Sequence, residues 1–228
     1  MDTTPIWAKK NGSDTYPLAN HLKDTAAAAL ALYNDYLTPP ARDLLHHELG
    51  DKAPQVTAYI AATHDLGKAT PFFACKPYET GHDWDTIRQR VKDAGLSTIN
   101  DEYEAVLLTE GDKALEYSLR RHEQQTCRFF THGICNEDIP PWVGVVGLGH
   151  HGKFVAPNTK IGSIMRELHE QGGWYDAQNA INNQLLTSTG ITGQDIPRNI
   201  SRRAFWLLIR ITITADRIAS QKWETGNS

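Results

Sequence analysis

Two short stretches of this sequence concentrate residues that could do chemistry. One is ATHDLGKA, where His64 stands beside Asp65; the other is GLGHHGKF, residues 147–154, where His150 stands beside His151. A carboxylate has two oxygens, so Asp65 can face two cations at once while imidazoles complete each shell. Two cations about 3.5–4 Å apart suit phosphodiester hydrolysis, because they stabilise the attacking and leaving oxygens together. An isolated His-Asp dipeptide is also common on exposed helix ends, so the pair alone decides nothing.

The glycines of the second stretch offer two competing readings. Gly147, Gly149 and Gly152 spell G-x-G-x-x-G, and Gly147 to Lys153 spells most of a phosphate-binding loop. A dinucleotide site needs a strand before the glycines and a helix opening on them. WVGVVGLG passes as a strand, and Glu167 or Glu170 stands at a workable distance for a ribose, but Pro157 and Asn158 interrupt the helix that should follow. The phosphate loop requires a hydroxyl after its lysine, and Phe154 has none. Pro140-Pro141 instead opens a helix, PPWVGVVGLGHH, that carries the two histidines near its C-terminal end.

The elements that must position these residues read as helices. Helical periodicity covers 21–37, a segment starting at Pro54, then 84–95, 113–130, 161–173 and 199–220. Gly67 falls where a left-handed cap would end the second helix. The 199–220 segment is apolar on almost every side, which predicts a central helix, although IRITIT also admits a strand. Loops are expected over 76–83, 95–102 and 187–198. No linker divides the chain, so the expectation is one all-α domain over residues 1–228, with its core at about 6–220.

Composition bounds the setting. The chain has 228 residues, 40% hydrophobic and 22% charged, which is ample for a buried core. A net charge of −4 gives no global attraction to nucleic acid, so any such binding must use a local basic patch. The three cysteines, Cys75, Cys127 and Cys135, form no C-x-x-C pair and argue against a disulfide framework. The sequence holds no apolar run of membrane-spanning length, and MDTTPIWAKKNG lacks a signal-peptide centre. The expected location is the cytoplasm, without a membrane partner.

Five segments then carry a resemblance: PLANHLKDTA around His21, THDLGK around His64 and Asp65, LRRHEQQT around His122, GLGHHGK around His150 and His151, and TADRIAS around Asp216. In this order, with WAKK ahead of them and the phrase HDLGKATPFF, the chain resembles the HD-type nuclease domain of the CRISPR-associated nuclease-helicase of type I systems. The resemblance implies an all-α HD-domain helical bundle around a dinuclear metal site. One ion would lie among His21, His64, Asp65 and Asp216, the other among Asp65, His122, His150 and His151. Five imidazoles and two carboxylates without a thiolate suit Fe2+, Mn2+, Co2+ or Ni2+, with Mg2+ admissible. The span from Lys68 to His122 is long for such a domain, so His82 and His132 compete with His122. The helicase region that usually follows is not expected within this chain.

The same resemblance implies metal-dependent hydrolysis of single-stranded DNA, endo- or exonucleolytic, in antiviral defence. Its partners would be a helicase domain or subunit and a CRISPR RNA-guided surveillance complex. Asp65 and Lys68 would carry the catalysis. The alternative is an HD phosphohydrolase acting on a nucleotide or signalling phosphate; a third reading is a partner-binding domain with an idle metal site. HDLGKATPFF and the doubled histidine favour the nuclease.

Substrate handling leaves fainter traces. Gly-Lys follows each metal motif, so Lys68 and Lys153 are candidate phosphate contacts, and Ser220 is a candidate hydroxyl donor. Arg203, Arg210 and Arg217 recur every seven residues, and salt bridges to neighbouring helices are their expected role. Phe72, Phe73 and Phe154 offer faces for base stacking, though core packing is expected of each. His46-His47 and His169 match no motif and are expected on solvated helix faces.

Overall fold

The computed structural model describes residues 2–77, 79–98, 119–155 and 172–224. It opens on a hairpin that the helical periodicity did not predict. Strand β1 (Trp7–Asn11) pairs antiparallel with β2 (Asp14–Pro17). The turn between them needs a positive φ, which Gly12 supplies at +58°. Ile6 and Trp7 are buried, so the hairpin is pinned to the helical core.

Helices follow: α1 (Leu18–Ala31), extended by a π-helical turn over Leu32–Tyr36, α2 (Pro39–Leu49) and α3 (Ala53–Ala62). Proline occupies the first turn of both α2 and α3, where its missing N–H costs nothing. A tight 3-10 turn (Thr63–Lys68) leads to α4 (Pro71–Ala74) and α5 (His82–Asp93). Then come α6 (His122–Thr131), α7 (Trp142–Gly149), α8 (Trp174–Thr189), a 3-10 turn at Gly193–Asp195 and α9 (Arg202–Glu224). The fold is mostly helical, as expected, and no described helix is long and apolar enough to cross a membrane.

The centre of the bundle is α3, where every residue from Val56 to Ala62 is buried. The last helix, expected there, is amphipathic instead. Ala204, Leu208, Ile211, Ala215 and Ala219 form its buried face, while Arg203, Trp206, Arg210 and Arg217 are exposed. IRITIT is helical throughout: Ile209, Ile211 and Thr212 are buried, and the helix packs against α1, α3 and α7.

Three further expectations change. The helix expected over 113–130 breaks at Arg121, whose backbone is extended (φ −89°, ψ 95°), so α6 begins at His122; residues 113–118 lie outside the described residues. Helix α5 begins at His82, inside the expected 76–83 loop, and α8 runs to Thr189, inside the expected 187–198 loop. The helix expected over 161–173, with His169, falls almost wholly outside the described residues.

Candidate metal centre

The chain leaves α3 through six consecutive buried residues, Thr63 to Lys68. A 3-10 turn has three residues per turn, so His64 and Asp65 diverge by a third of a circle and point at different neighbours. Gly67 is not a left-handed cap; it is absent from the positive-φ positions. Its role is steric. A Cβ there would fall on the His122 carbonyl oxygen and the Thr126 nitrogen, so only glycine lets α6 lie directly on the turn.

Thr126 fastens that contact. Its hydroxyl accepts the Gly67 N–H at 2.8 Å and donates to the His64 carbonyl at 2.9 Å. Gly144 and Gly147 do the same job on the next interface. Their added Cβ atoms would stand 3.0 Å from the Cys127 carbonyl oxygen and 2.7 Å from Thr126 Cγ2, respectively. Within the 147–152 motif, Gly147 thus serves close helix packing, Gly149 makes room for the Phe154 ring, and Gly152 supplies a positive φ of +73°; WVGVVGLG is helix α7 rather than a strand.

Why His122 reaches the site follows from its place at the start of α6. Helical side chains tilt toward the N-terminus, so the first residue projects beyond the helix end. Next to it, Glu123 is only 2% exposed. Its carboxylate is ion-paired with Arg121 and lies 3.9 Å from His122 Nδ1. This buried acid, which sequence reasoning missed, stands beside the His122 ring.

Asp65 is the hub. Its Oδ2 lies 3.3 Å from His21 Nε2 and 3.3 Å from His64 Nε2. Its Oδ1 lies 3.1 Å from His122 Nε2 and 3.5 Å from His150 Nε2. Asp216 Oδ1 completes the first group at 3.2 Å from His21 and 3.4 Å from His64. His151 Nε2 completes the second at 3.1 Å from His122 Nε2. Ligand atoms within His21, His64, Asp65 and Asp216, and likewise within His122, His150 and His151, all lie within 4.8 Å of one another.

The electrostatics fit a cation. Burial works against a charge on His64, but Asp65 and Asp216 outweigh it and push the imidazole up to about 9. Burial also opposes ionisation of Asp65, yet His64, Lys68 and His122 hold its carboxyl well below the usual range. Burial first, then the charge on His64, keeps His150 well below the ordinary histidine value. His64 Nδ1 lies 2.9 Å from the Ala61 carbonyl and His150 Nδ1 sits on the Gly147 carbonyl. Those contacts orient each ring so that its Nε2 points inward.

Three buried atoms, His21 Nε2, His64 Nε2 and Asp65 Oδ1, converge here without a well-directed hydrogen bond. Buried polar atoms without partners are rare and costly. A divalent ion satisfies such a set of nitrogen and oxygen donors, so the residues fit a metal.

The remaining candidates distribute as follows. Lys68 is buried, its Nζ 2.5 Å from Asp65 Oδ2 and 3.3 Å from the Ala8 carbonyl. The Ser220 hydroxyl donates to Asp216 Oδ1 at 3.2 Å, so in this structure it orients that carboxylate. Lys153 is exposed two residues beyond His151. Phe72 is core, at 3% exposure, whereas Phe154 is 43% exposed and Phe73 is half-buried against His122. His82 and His132 are exposed and stand outside both clusters, as does the exposed pair His46-His47.

Comparisons with known proteins cover nearly the whole chain. The family described as "Cas3, HD domain" matches residues 7–223. A CRISPR-associated nuclease/helicase Cas3 from Streptococcus thermophilus is 26% identical over 95% of this chain and 24% of its own length. The chain therefore spans about a quarter of that relative. A chain of a CRISPR RNA-guided surveillance complex in a pre-nicking state shares the fold, at TM-score 0.66 and 24% identity, with 96% of this chain and 24% of that chain covered. The crystal structure of the Thermus thermophilus cas3 HD domain in the presence of Ni2+ aligns at TM-score 0.51 and 21% identity, covering 96% of this chain and 77% of that one.

Proposed function

This chain belongs to the Cas3 HD-domain family, and from that premise we propose that it is a metal-dependent nuclease that hydrolyses phosphodiester bonds of single-stranded DNA. The observation that carries the reading is the division of Asp65: one oxygen faces His21 and His64, the other faces His122 and His150. His21, His64, Asp65 and Asp216 would hold one divalent ion, and Asp65, His122, His150 and His151 the second. Fe2+, Mn2+, Co2+ and Ni2+ suit these donors, with Mg2+ admissible. When bound, such a pair supplies electrostatic stabilisation to both the attacking and leaving oxygens of a phosphodiester.

The chain's own residues prepare that chemistry. Ala61 and Gly147 carbonyls hold His64 and His150 in one ring orientation, and Ser220 holds Asp216. Lys68 keeps a positive charge on Asp65 Oδ2. An ammonium has three N–H donors; among the described residues two go to Asp65 and Ala8, which leaves the third for a phosphate oxygen of the substrate. His21, His64 and Asp65 are buried at 0–2% exposure, which keeps bulk water from them, while half-buried Asp216 and exposed His151 mark the entrance.

The proposed partners are a helicase domain or subunit and an RNA-guided surveillance complex, with the cytoplasm as the setting. The first follows from the nuclease/helicase relative, the second from the fold shared with a chain of such a complex. A metal-supplemented assay comparing circular single-stranded DNA with a panel of nucleotides tests the reading. Conversion of the circle to fragments, with the nucleotides untouched, is expected. Nucleotide hydrolysis without cutting of the circle would place the chain among the HD phosphohydrolases of small molecules.

A further inference from the structure

On the hairpin side of the centre, a row of rings runs outward from His122. Ring centroids are 5.4 Å apart for His122 and Phe73, 4.8 Å for Phe73 and Trp7, and 5.9 Å for Trp7 and Trp84. Three ammonium groups sit over this row. Lys68 Nζ lies 5.3 Å from Phe73, and Lys10 Nζ lies 4.7 Å from Trp84. Lys76 Nζ lies 5.3, 5.6 and 5.8 Å from Phe73, Trp7 and Trp84. The lysines come from β1, the 3-10 turn and the segment after α4, so the fold rather than one local motif brings them together.

A cation over a ring explains one such lysine; it does not explain three like charges side by side. Among the described residues acidic compensation is thin: Asp83 lies 3.9 Å from Lys10, Glu79 faces Lys76 from an exposed position, and Asp65 is taken by Lys68. Lys76 also carries the one positive φ, +36°, found at a described non-glycine residue. Strain of that kind persists where the surroundings over-determine it, and it gathers at functional positions. Here Arg88 imposes it, donating to the Cys75 carbonyl at 3.0 Å, the Lys76 carbonyl at 2.7 Å and the Glu79 carbonyl. Burial lowers the Lys76 ammonium from its ordinary value; Glu79 opposes this, and Lys68 and Lys10 add to it.

From this juxtaposition we infer that Lys76, flanked by Lys10, is a positioning residue that grips a backbone phosphate next to the one being cleaved. Half-buried Phe73 and Trp84 offer faces for the bases of the same strand, since stacking is tolerant of sequence. The inference rests on the nuclease reading and names a part of its substrate track. It also accounts for a net-negative chain handling a polyanion, because the attraction is local.

The test uses Lys76→Gly, which suits the positive φ while removing the amine, and Lys76→Arg, which keeps the charge. Each is assayed with metal on a labelled single-stranded oligodeoxynucleotide and on bis(p-nitrophenyl) phosphate, which has no neighbouring phosphate. K76G should lower kcat/KM for the oligonucleotide about tenfold more than for the small diester, mainly through KM, as expected for one lost charged hydrogen bond. The log–log salt dependence of its KM should flatten by about 0.7, and K76R should restore most of the loss. Equal losses on both substrates, an unchanged salt slope, or K76R as poor as K76G would each overturn the inference. If wild type cleaves neither substrate, the nuclease reading itself fails.

Discussion

The Thr126 hydroxyl donates to the His64 carbonyl across 62 residues of sequence, at 2.9 Å, while accepting the Gly67 N–H at 2.8 Å. Helix α6 is thereby bolted to the turn that carries the hub of the site. Thr126→Val keeps the shape but strands two buried backbone groups, at about 1–3 kcal/mol for each unsatisfied group. A urea midpoint shift corresponding to about 2 kcal/mol or more is expected, with weakened metal retention. Thr126→Ser should stay close to wild type.

Gly147→Ala tests whether the glycine motif packs helices. The new methyl would meet Thr126 Cγ2 at 2.7 Å and the His64 backbone at 3.5 Å. Overpacking of this kind costs about 1–3 kcal/mol, and here the strain acts on the residue that holds His64. Reduced nuclease activity and a lower thermal midpoint are expected. Adding Thr126→Ser removes the obstructing methyl and should recover much of both. A double variant as impaired as G147A alone would mean that the clash is not the cause.

His122→Ala removes a donor from one cluster only. About half of the bound metal and most of the activity should be lost, with the protein still folded, because the other cluster is intact. His82→Ala and His132→Ala should match wild type in metal content and rate, since both side chains are exposed and outside the clusters. Inactive H82A with normal H122A would require the second cluster to be redrawn.

The chemistry of this site was more legible in the sequence than its mechanics. HD, HH and the isolated His21 and Asp216 stand in short motifs, and the structure brings all of them together with His122. The break at Arg121 was not legible. The extended backbone there coincides with an ion pair between half-buried Arg121 and buried Glu123, a contact without a periodic signature. Gly67 was visible as a glycine, but its reason, the passage of α6 over its missing Cβ, lies 55 or more residues away in the chain. The hairpin escaped because strands of five and four residues are too short to show alternation. The last helix misled by composition: Ile and Thr suggested burial, whereas Arg203, Trp206, Arg210 and Arg217 give it a solvent face.

Protonation of the metal-free centre predicts a stability maximum near neutral pH. His64 has its folded value raised to about 9 from 6.5, so its contribution is fully present below pH 6.5 and is lost as pH rises toward 9. His150, Asp65 and Asp216 are shifted down, so their contributions are present above their ordinary values and fade as pH falls. The thermal midpoint of chelated protein should therefore decline from pH 6.5 to 9. Added Mn2+ should stabilise more at pH 9 than at 6.5, because the ion displaces the proton on His64. A midpoint that climbs steadily to pH 9 without metal would contradict this.

The shared carboxylate is the central claim, and the metal stoichiometry of Asp65→Asn tests it most directly. Asparagine preserves the shape but removes the charge facing both clusters, and it offers an amide where one oxygen was needed. With Mn2+ or Ni2+ supplied in excess and the unbound ion removed, wild type should retain two ions per chain by elemental analysis. D65N should retain fewer than one, with single-stranded DNA cleavage abolished and the fold intact by circular dichroism. Two ions retained by D65N, with cleavage at the wild-type rate, would show that Asp65 does not join the two clusters.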